Sequence, residues 1–519
     1  MNGFKGERTN RRARDVTIAD ELEKKQRRRN YGIFIGLALA VLVYFAMPDQ
    51  LTGSLVDALN DDGTAMYTVH GLKITAATAV LMATWWITEA VPLYAAALLP
   101  LLVFPLSQAQ AFVESARPYA SGTIFLFMGG FFLAAAVQKW NLHRRIALGV
   151  VRFVGTDPKR IILGFMIANG VVTMWVSNTA TAIMMLPIGL SVLQLVNKQT
   201  KGVDLLRSNF GKAMMLGIAY SASIVATSSL ISTPPNALLR AYVAETFGIT
   251  LTFGKWLLFA SPMAWALLFI MWFLFVNVLF KPEIDEIPGG KELIERELAE
   301  MGPMSTGERR VGVVFVIAAL SWVFLPTLFG DLGVTDELVA IAVAMLLFLI
   351  PVGKDDRLLD GATAREIPWE ILLLFGGGLS LSAAFTKSGL STWIGDLSAG
   401  VGTLHVVLLV LVVTTLVMAL TELTSNTATA ATFLPVLGGV AAGIGADPLL
   451  LVVPVALAST CSFMLPVATP PNAIAYSTGY VSIGDMLKAG VWMNLIGIVL
   501  ITITTLTMGP LVLGIDLGM

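Results

Sequence analysis

From residue 31 to the C-terminus the chain is a succession of apolar stretches, and only 1–30 and 281–310 are long and charged. Runs of this kind constrain folding more than any other feature, because lipid leaves a crossing segment to satisfy its own backbone polar groups. Composition agrees. Of 519 residues, 56% are hydrophobic and 13% charged, against about a quarter charged in soluble domains. The pattern is that of an all-α polytopic membrane protein held in a lipid bilayer.

Several function classes fall away early. The formal net charge of −1 shows no basic bias of the kind that binds nucleic acid. Cys461 is the single cysteine, which rules out an intrachain disulfide or a Cys-cluster metal site. His70, His143 and His405 have no metal-ligand spacing. Gly-x-Ser with a partner His, His-Glu-x-x-His and a paired-Asp motif within spans are all missing, so an enzyme is not expected. No cleavable signal peptide is expected either.

The polar start, 1–30, ends in Lys24, Lys25, Arg27, Arg28 and Arg29 and reads as a cytoplasmic basic tail. Apolar segments follow near 31–47, 72–89, 91–106 and 121–138. An amphipathic surface stretch, 139–157, carries Arg144, Arg145 and Arg152 beside Leu148, Val151 and Phe153. Further segments lie near 160–176, 180–197, 210–232, 235–247 and 256–280. Beyond the charged loop 281–310 they resume near 311–329, 337–351, 368–387, 404–424, 428–443, 448–467, 471–480 and 486–513, with 388–401 as a less polar surface stretch. Lys and Arg gather in 139–160, 198–212, 281–310 and 352–366, whereas Asp49, Asp57, Asp61, Asp62, Asp331, Asp336 and Glu337 fall in the opposite loops. That bias places the N-terminus inside and the C-terminus outside, with about eleven spans plus two re-entrant hairpins.

Two polar phrases recur inside this apolar chain. Ser-Asn-Thr-Ala-Thr occupies 177–181 and 425–429, and Thr-Pro-Pro-Asn-Ala occupies 233–237 and 469–473. MGGFFLAAAVQKW at 128–140 corresponds loosely to FGGGLSLSAAFTK at 375–387, in the same order relative to the phrases. The arms flanking the first pentapeptide are about 16–18 residues long, short of the ~20 that span a bilayer, which puts the pentapeptide at a hairpin tip in mid-membrane. The paired prolines break a helix and suit the first turn of a new one. Each break exposes helix N-termini, which attract anions, and free carbonyls, which coordinate small cations. An odd number of spans between the hairpins makes the repeats inverted, so both sets of phrases belong to one midplane site. No Lys or Arg lies within the motifs, so a bound dianion needs its charge balanced by helix ends and co-bound cations.

The motifs WWITEAVPLYAAALLP (85–100), MWVSNTATAIMMLP (174–187) and TELTSNTATAATFLP (421–435), with both Thr-Pro-Pro-Asn-Ala breaks, resemble the divalent anion:sodium symporter, or dicarboxylate transporter, family. The resemblance runs from about residue 31 to the C-terminus. It implies a homodimer in the cell (inner) membrane with an elevator mechanism: scaffold parts at 31–157 and 311–402, transport parts at 158–280 and 403–519. It implies that Ser177, Asn178, Thr179, Thr233, Ser425, Asn426, Thr427, Thr469 and Pro470 hold a dicarboxylate. It maps sodium onto Thr173, Ser177, Asn178 and Ser232 in the first half, and onto Thr421, Thr424, Asn426 and Ala468 in the second. Ser232 stands where the family often has Gly, and Thr173 where it often has Ser; both keep an oxygen ligand. The expected function is sodium-coupled symport of succinate, malate or fumarate without any cofactor. The alternatives are a sodium-independent dicarboxylate exchanger or a related inorganic oxyanion permease, and the intact Asn pair favours the symporter.

Four other features carry expectations. Glu89 is expected in a cytoplasmic turn at a helix end. Glu422 is expected either to form an ion pair supporting its hairpin or to influence the nearby cation site indirectly. The tryptophans, including Trp85, Trp86, Trp256 and Trp265, read as interface anchors. The runs Gly129–Gly130 and Gly376–Gly378 read as places of close helix approach.

Overall fold

A computed structural model describes residues 29–56, 58, 65–155, 157–199, 208–284, 286, 287, 289–353, 356–398 and 404–518. Most of the basic tail therefore lies outside the described residues, as do Asp57, Asp61, Asp62, Lys201, Arg207 and Lys354. Helices dominate, with one short antiparallel ladder pairing Pro351–Val352 with Asp356–Arg357.

Among the described residues, seven helices are long and apolar enough to cross a membrane: Arg29–Ala46, Phe112–Lys139, Asn178–Asn197, Phe253–Leu279, Thr306–Leu332, Trp369–Lys387 and Ile483–Leu513. Leu93–Leu106, Val406–Thr421 and Pro448–Thr460 are apolar but shorter, and proline is a recurrent reason. The stretch expected at 91–106 splits into Leu93–Ala96 and Leu99–Leu106, with Pro92 as N-cap, Pro100 in the first turn and Pro105 inside. Asp157 and Asp447 each cap a helix that begins with proline, accepting main-chain N–H groups through their carboxylates.

Each pentapeptide opens the second arm of a helical hairpin. The first hairpin joins Pro158–Thr173 to Asn178–Gln199, and the second joins Val406–Thr421 to Asn426–Gly443. Each is followed by a broken helix: Asn209–Ala226 with Pro234–Phe247, then Pro448–Thr460 with Pro470–Ser477. The helices stop earlier than the apolar runs suggest, so the breaks cover 227–233 and 461–469.

The two halves interlock. Pro234–Phe247 packs on Asn426–Gly443 and Pro448–Thr460, while Pro470–Ser477 packs on Asn178–Gln199 and Asn209–Ala226. The helix leaving one break thus lies beside the helix entering the other, so the two broken helices pass the same level in opposite directions. Thr233 Oγ1 lies 3.4 Å from Thr460 Oγ1, joining the first break to the end of the helix that enters the second.

The charged region 281–310 is not simply a loop. Gly290–Glu300 is a helix whose Leu293 and Ile294 are buried, and it packs on the surface helix Leu142–Val154. Arg144 pairs with Glu297 at 2.7 Å, Arg145 with Glu308 at 2.7 Å and Arg152 with Glu295 at 3.6 Å. Charge around most of that segment hides its helical period from the sequence; the oppositely charged surface helix supplies the partner. Residues 306–310 already belong to Thr306–Phe329, which starts with a Ser305–Glu308 capping box.

The glycine runs do mark close approaches. A Cβ on Gly129 would stand 2.6 Å from the Ala340 carbonyl oxygen, and one on Gly377 would collide with the backbone of Ala97. The tryptophans need correction. Trp86 and Trp256 are fully buried within the protein, while Trp85 and Trp265 are half-buried. Trp86 donates to the Leu93 carbonyl at 3.1 Å and Trp256 to the Thr227 carbonyl at 3.0 Å, so both brace interrupted backbone.

Candidate functional site

The second Thr of each pentapeptide closes the first helical turn. Thr181 donates to the Ser177 carbonyl from both N (3.0 Å) and Oγ1 (3.0 Å). Thr429 does the same to the Ser425 carbonyl, at 2.9 and 3.1 Å. Each Asn consequently becomes the first residue of its helix, facing the tip. Ser177 additionally caps its helix by accepting the Ala180 N–H at 3.3 Å, whereas Ser425 makes no side-chain cap.

Both tips and both breaks line one cavity of about 1000 Å³. Ser177, Asn178, Thr179, Thr233, Ser425, Asn426, Thr427, Thr469 and Pro470 all lie on its wall. So do Ser232, Thr424 and Ala468. Thr173 and Thr421 are fully buried behind it, with Thr173 Oγ1 donating to the Ala222 carbonyl at 3.2 Å. Thr421 Oγ1 lies 2.8 Å from Asn426 Oδ1 and 2.9 Å from the Ser459 carbonyl, while Ser462 Oγ donates to Asn426 Oδ1 at 3.2 Å.

Asn178, Pro234, Asn426 and Pro470 each begin a helix and each line the cavity. Four helix N-termini therefore converge on it, each carrying partial positive charge of roughly half an elementary unit. Arg29 is the basic side chain on the wall among the described residues. It sits at the start of the first helix, where its Nε donates to the Glu89 carbonyl at 3.0 Å. Glu89 is the C-cap of Val69–Thr88 in a left-handed conformation with φ of 49°, and with Glu366 and Glu370 it extends the wall toward the helix ends. Nearby, Lys139 bridges Asp356 at 2.7 Å and Asp360 at 2.6 Å. Its hydrogen bond holds the Asp360 carboxyl down to about 2. The base of the cavity thus offers hydroxyls, amides and helix ends to an anion, and neutral oxygens to a hard cation. Among the described residues no group of three or more His, Cys, Asp or Glu could hold a metal ion.

Sequence reasoning missed three supports. Asn236 and Asn472, inside the repeated Thr-Pro-Pro-Asn-Ala phrase, reach back across their breaks. Asn236 Nδ2 donates to the carbonyls of Thr227 (2.9 Å) and Ser229 (2.8 Å). Asn472 Nδ2 donates to those of Ser462 and Leu465, both at 3.1 Å. Their recurrence in both halves was the available signal. Arg240 is buried against Asp336 at 3.3 Å and Glu337 at 2.6 Å, and no spacing in the sequence links these residues. Of the two roles expected of Glu422, the ion pair is not formed among the described residues, and neutral donors take its place. Its carboxylate accepts the N–H of Phe463 (2.7 Å), the N–H of Met464 (3.0 Å) and Asn494 Nδ2 (2.7 Å).

With this arrangement in place, comparison with known proteins is direct. Residues 66–515 match the family described as the sodium:sulfate symporter transmembrane region. The chain belongs to this family. The sodium-dependent dicarboxylate transporter SdcS of Staphylococcus saprophyticus is 39% identical over 505 residues, 95% of each chain. Its Staphylococcus aureus counterpart is 40% identical over 463 residues, 87% of this chain and 88% of its own. The fold is shared with more distant transporters. The Alcanivorax borkumensis YdaH transporter superposes with a TM-score of 0.54 at 14% identity, over 93% of this chain and 98% of its own. Neisseria gonorrhoeae MtrF does so with 0.53 at 13% identity, over 92% and 94%. Membership makes the chain a multi-pass membrane transporter.

Proposed function

We propose that the chain is a sodium-coupled secondary active symporter of C4-dicarboxylates such as succinate, malate and fumarate. The observation that carries this reading is the convergence of four helix N-termini and both Ser-Asn-Thr triplets on one cavity, with neutral side chains at its base. A dicarboxylate spans the two tips. Asn178, Thr179, Asn426 and Thr427 address its carboxylates, with Ser177, Ser425, Thr233, Thr469 and Pro470 closing around it. Sodium ions occupy the oxygen-rich positions of Thr173, Ser177, Asn178 and Ser232, and of Thr421, Thr424, Asn426 and Ala468. They balance charge that helix ends alone leave unmatched in a low-dielectric setting. The name carried by relatives about 40% identical supports the same substrate and ion.

Transport follows an elevator mechanism. The inverted hairpins and broken helices of 158–280 and 403–519 move as a unit against 31–157 and 311–402 in each protomer of a homodimer. The protein resides in the cell membrane with its N-terminus cytoplasmic and its C-terminus outside. The cavity wall reaches Arg29, Glu89 and Glu366, on the side that this orientation assigns to the cytoplasm. Uptake of labelled succinate into proteoliposomes tests the reading: replacing external sodium by choline should reduce it to background. Uptake indifferent to that replacement but dependent on internal dicarboxylate would identify an exchanger instead.

A further inference from the structure

The break segments place Ser232 and Ala468 on the cavity wall, and the structure shows what gives those segments their shape. Asn236 and Asn472 are each the third residue of the helix after the break. Both are completely buried, and neither lines the cavity. Each spends both amide hydrogens on two carbonyls of its break. These bonds fix the amide orientation, since a flipped side chain would set oxygen against oxygen. They also draw the carbonyls of Thr227, Ser229, Ser462 and Leu465 back toward the post-break helix.

The two halves share one further detail. Among the described residues, neither the buried Asn236 Oδ1 nor the buried Asn472 Oδ1 has a hydrogen-bond partner. A buried acceptor left unpaired is costly, yet it occurs at the same position in both halves. The second half adds a further link. Ser462 accepts from Asn472 through its carbonyl and donates through Oγ to Asn426 Oδ1 at 3.2 Å. Asn472 therefore acts on the hairpin tip through Ser462.

We propose that Asn236 and Asn472 are positioning residues for sodium coupling. Each amide clamps its break so that the carbonyls of Ser232 and Ala468, with the neighbouring Asn178 or Asn426, present their oxygens to a cation. The two residues act on separate halves, and neither touches the dicarboxylate. This proposal rests on the sodium-coupled reading above.

The test is sodium activation of succinate uptake in proteoliposomes, for wild type and for Asn236→Ala, Asn236→Asp, Asn472→Ala and Asn472→Asp. The aspartates preserve size while turning both donor contacts into oxygen–oxygen repulsion. Each alanine variant should raise the sodium concentration for half-maximal uptake about tenfold, and each aspartate variant should raise it further. The succinate KM at saturating sodium should stay within about twofold of wild type. Sodium-dependent thermal stabilisation of the purified protein should weaken in parallel, which gives a readout for variants too slow to assay. Unchanged sodium half-saturation, with only lower yield or maximal rate, would reduce both residues to structural ties and overturn the proposal. Wild-type uptake without sodium activation would instead remove the functional reading on which it rests.

Discussion

In the first half the helix after the break, Pro234–Phe247, is pinned by a charge. Arg240 is 4% exposed; it donates from Nε to the Leu251 carbonyl at 2.9 Å and meets Asp336 and Glu337 through Nη2. Asp336 also accepts the Phe253 N–H at 2.9 Å. In the second half the matching helix, Pro470–Ser477, contains no charged residue. There the brace shifts to Glu422, which holds the break through its N–H groups, whereas its counterpart before the first tip is Met174. The shared phrases build the site and tie its breaks through Asn236 and Asn472, while dissimilar residues brace it from further out. The first brace ties a broken helix to Asp336–Leu349, in the part proposed above as scaffold. The second stays among hairpin 2, its break and Asn494, and would travel with them.

The largest expected effect tests where the halves are alike. Asn178→Ala and Asn426→Ala should each bring succinate uptake down to that of empty liposomes while the detergent-solubilised protein keeps its wild-type elution volume. Uptake surviving in one variant alone would show that the two tips are unequal partners. Next comes Arg240→Met, which leaves two carboxylates without their cation. Removing one partner of a buried ion cluster costs about 3–5 kcal/mol, so the thermal unfolding temperature should drop by many degrees. Adding Asp336→Asn and Glu337→Gln should recover much of it; no recovery would mean that Arg240 acts through packing alone. Smaller is the contrast between Glu422→Ala and Met174→Ala. The first orphans two main-chain N–H groups and the Asn494 amide, for about 3 kcal/mol. The second removes a half-buried thioether, for about 1–2 kcal/mol. Equal losses would erase the asymmetry between the braces.

Much of the site was legible beforehand because its elements are local. Proline beside proline ends a helix wherever it falls, and a Ser-Asn-Thr between two short apolar arms can only sit at a turn. The tip and break residues on the cavity wall could thus be named from spacing and family resemblance. Their supports outside the repeated phrases could not. Trp256 looked like an interface anchor because composition cannot distinguish a tryptophan facing lipid from one buried against the Thr227 carbonyl. Gly290–Glu300 looked like loop because its apolar face is only as wide as Leu293 and Ile294 require.

The sequence by itself determined that this chain crosses a membrane repeatedly, where its helices must break, and that the breaks come in two equivalent sets without basic residues. Those properties follow from apolar run length, proline chemistry and repetition, which act over a few residues. Only the tertiary structure decided that each post-break helix would pack against the other half, that Arg240 would find carboxylates 96 and 97 positions away, and that Glu422 would serve a backbone 41 positions on. A buried charge takes its partner from whatever packing brings within reach, and no local pattern encodes that distance.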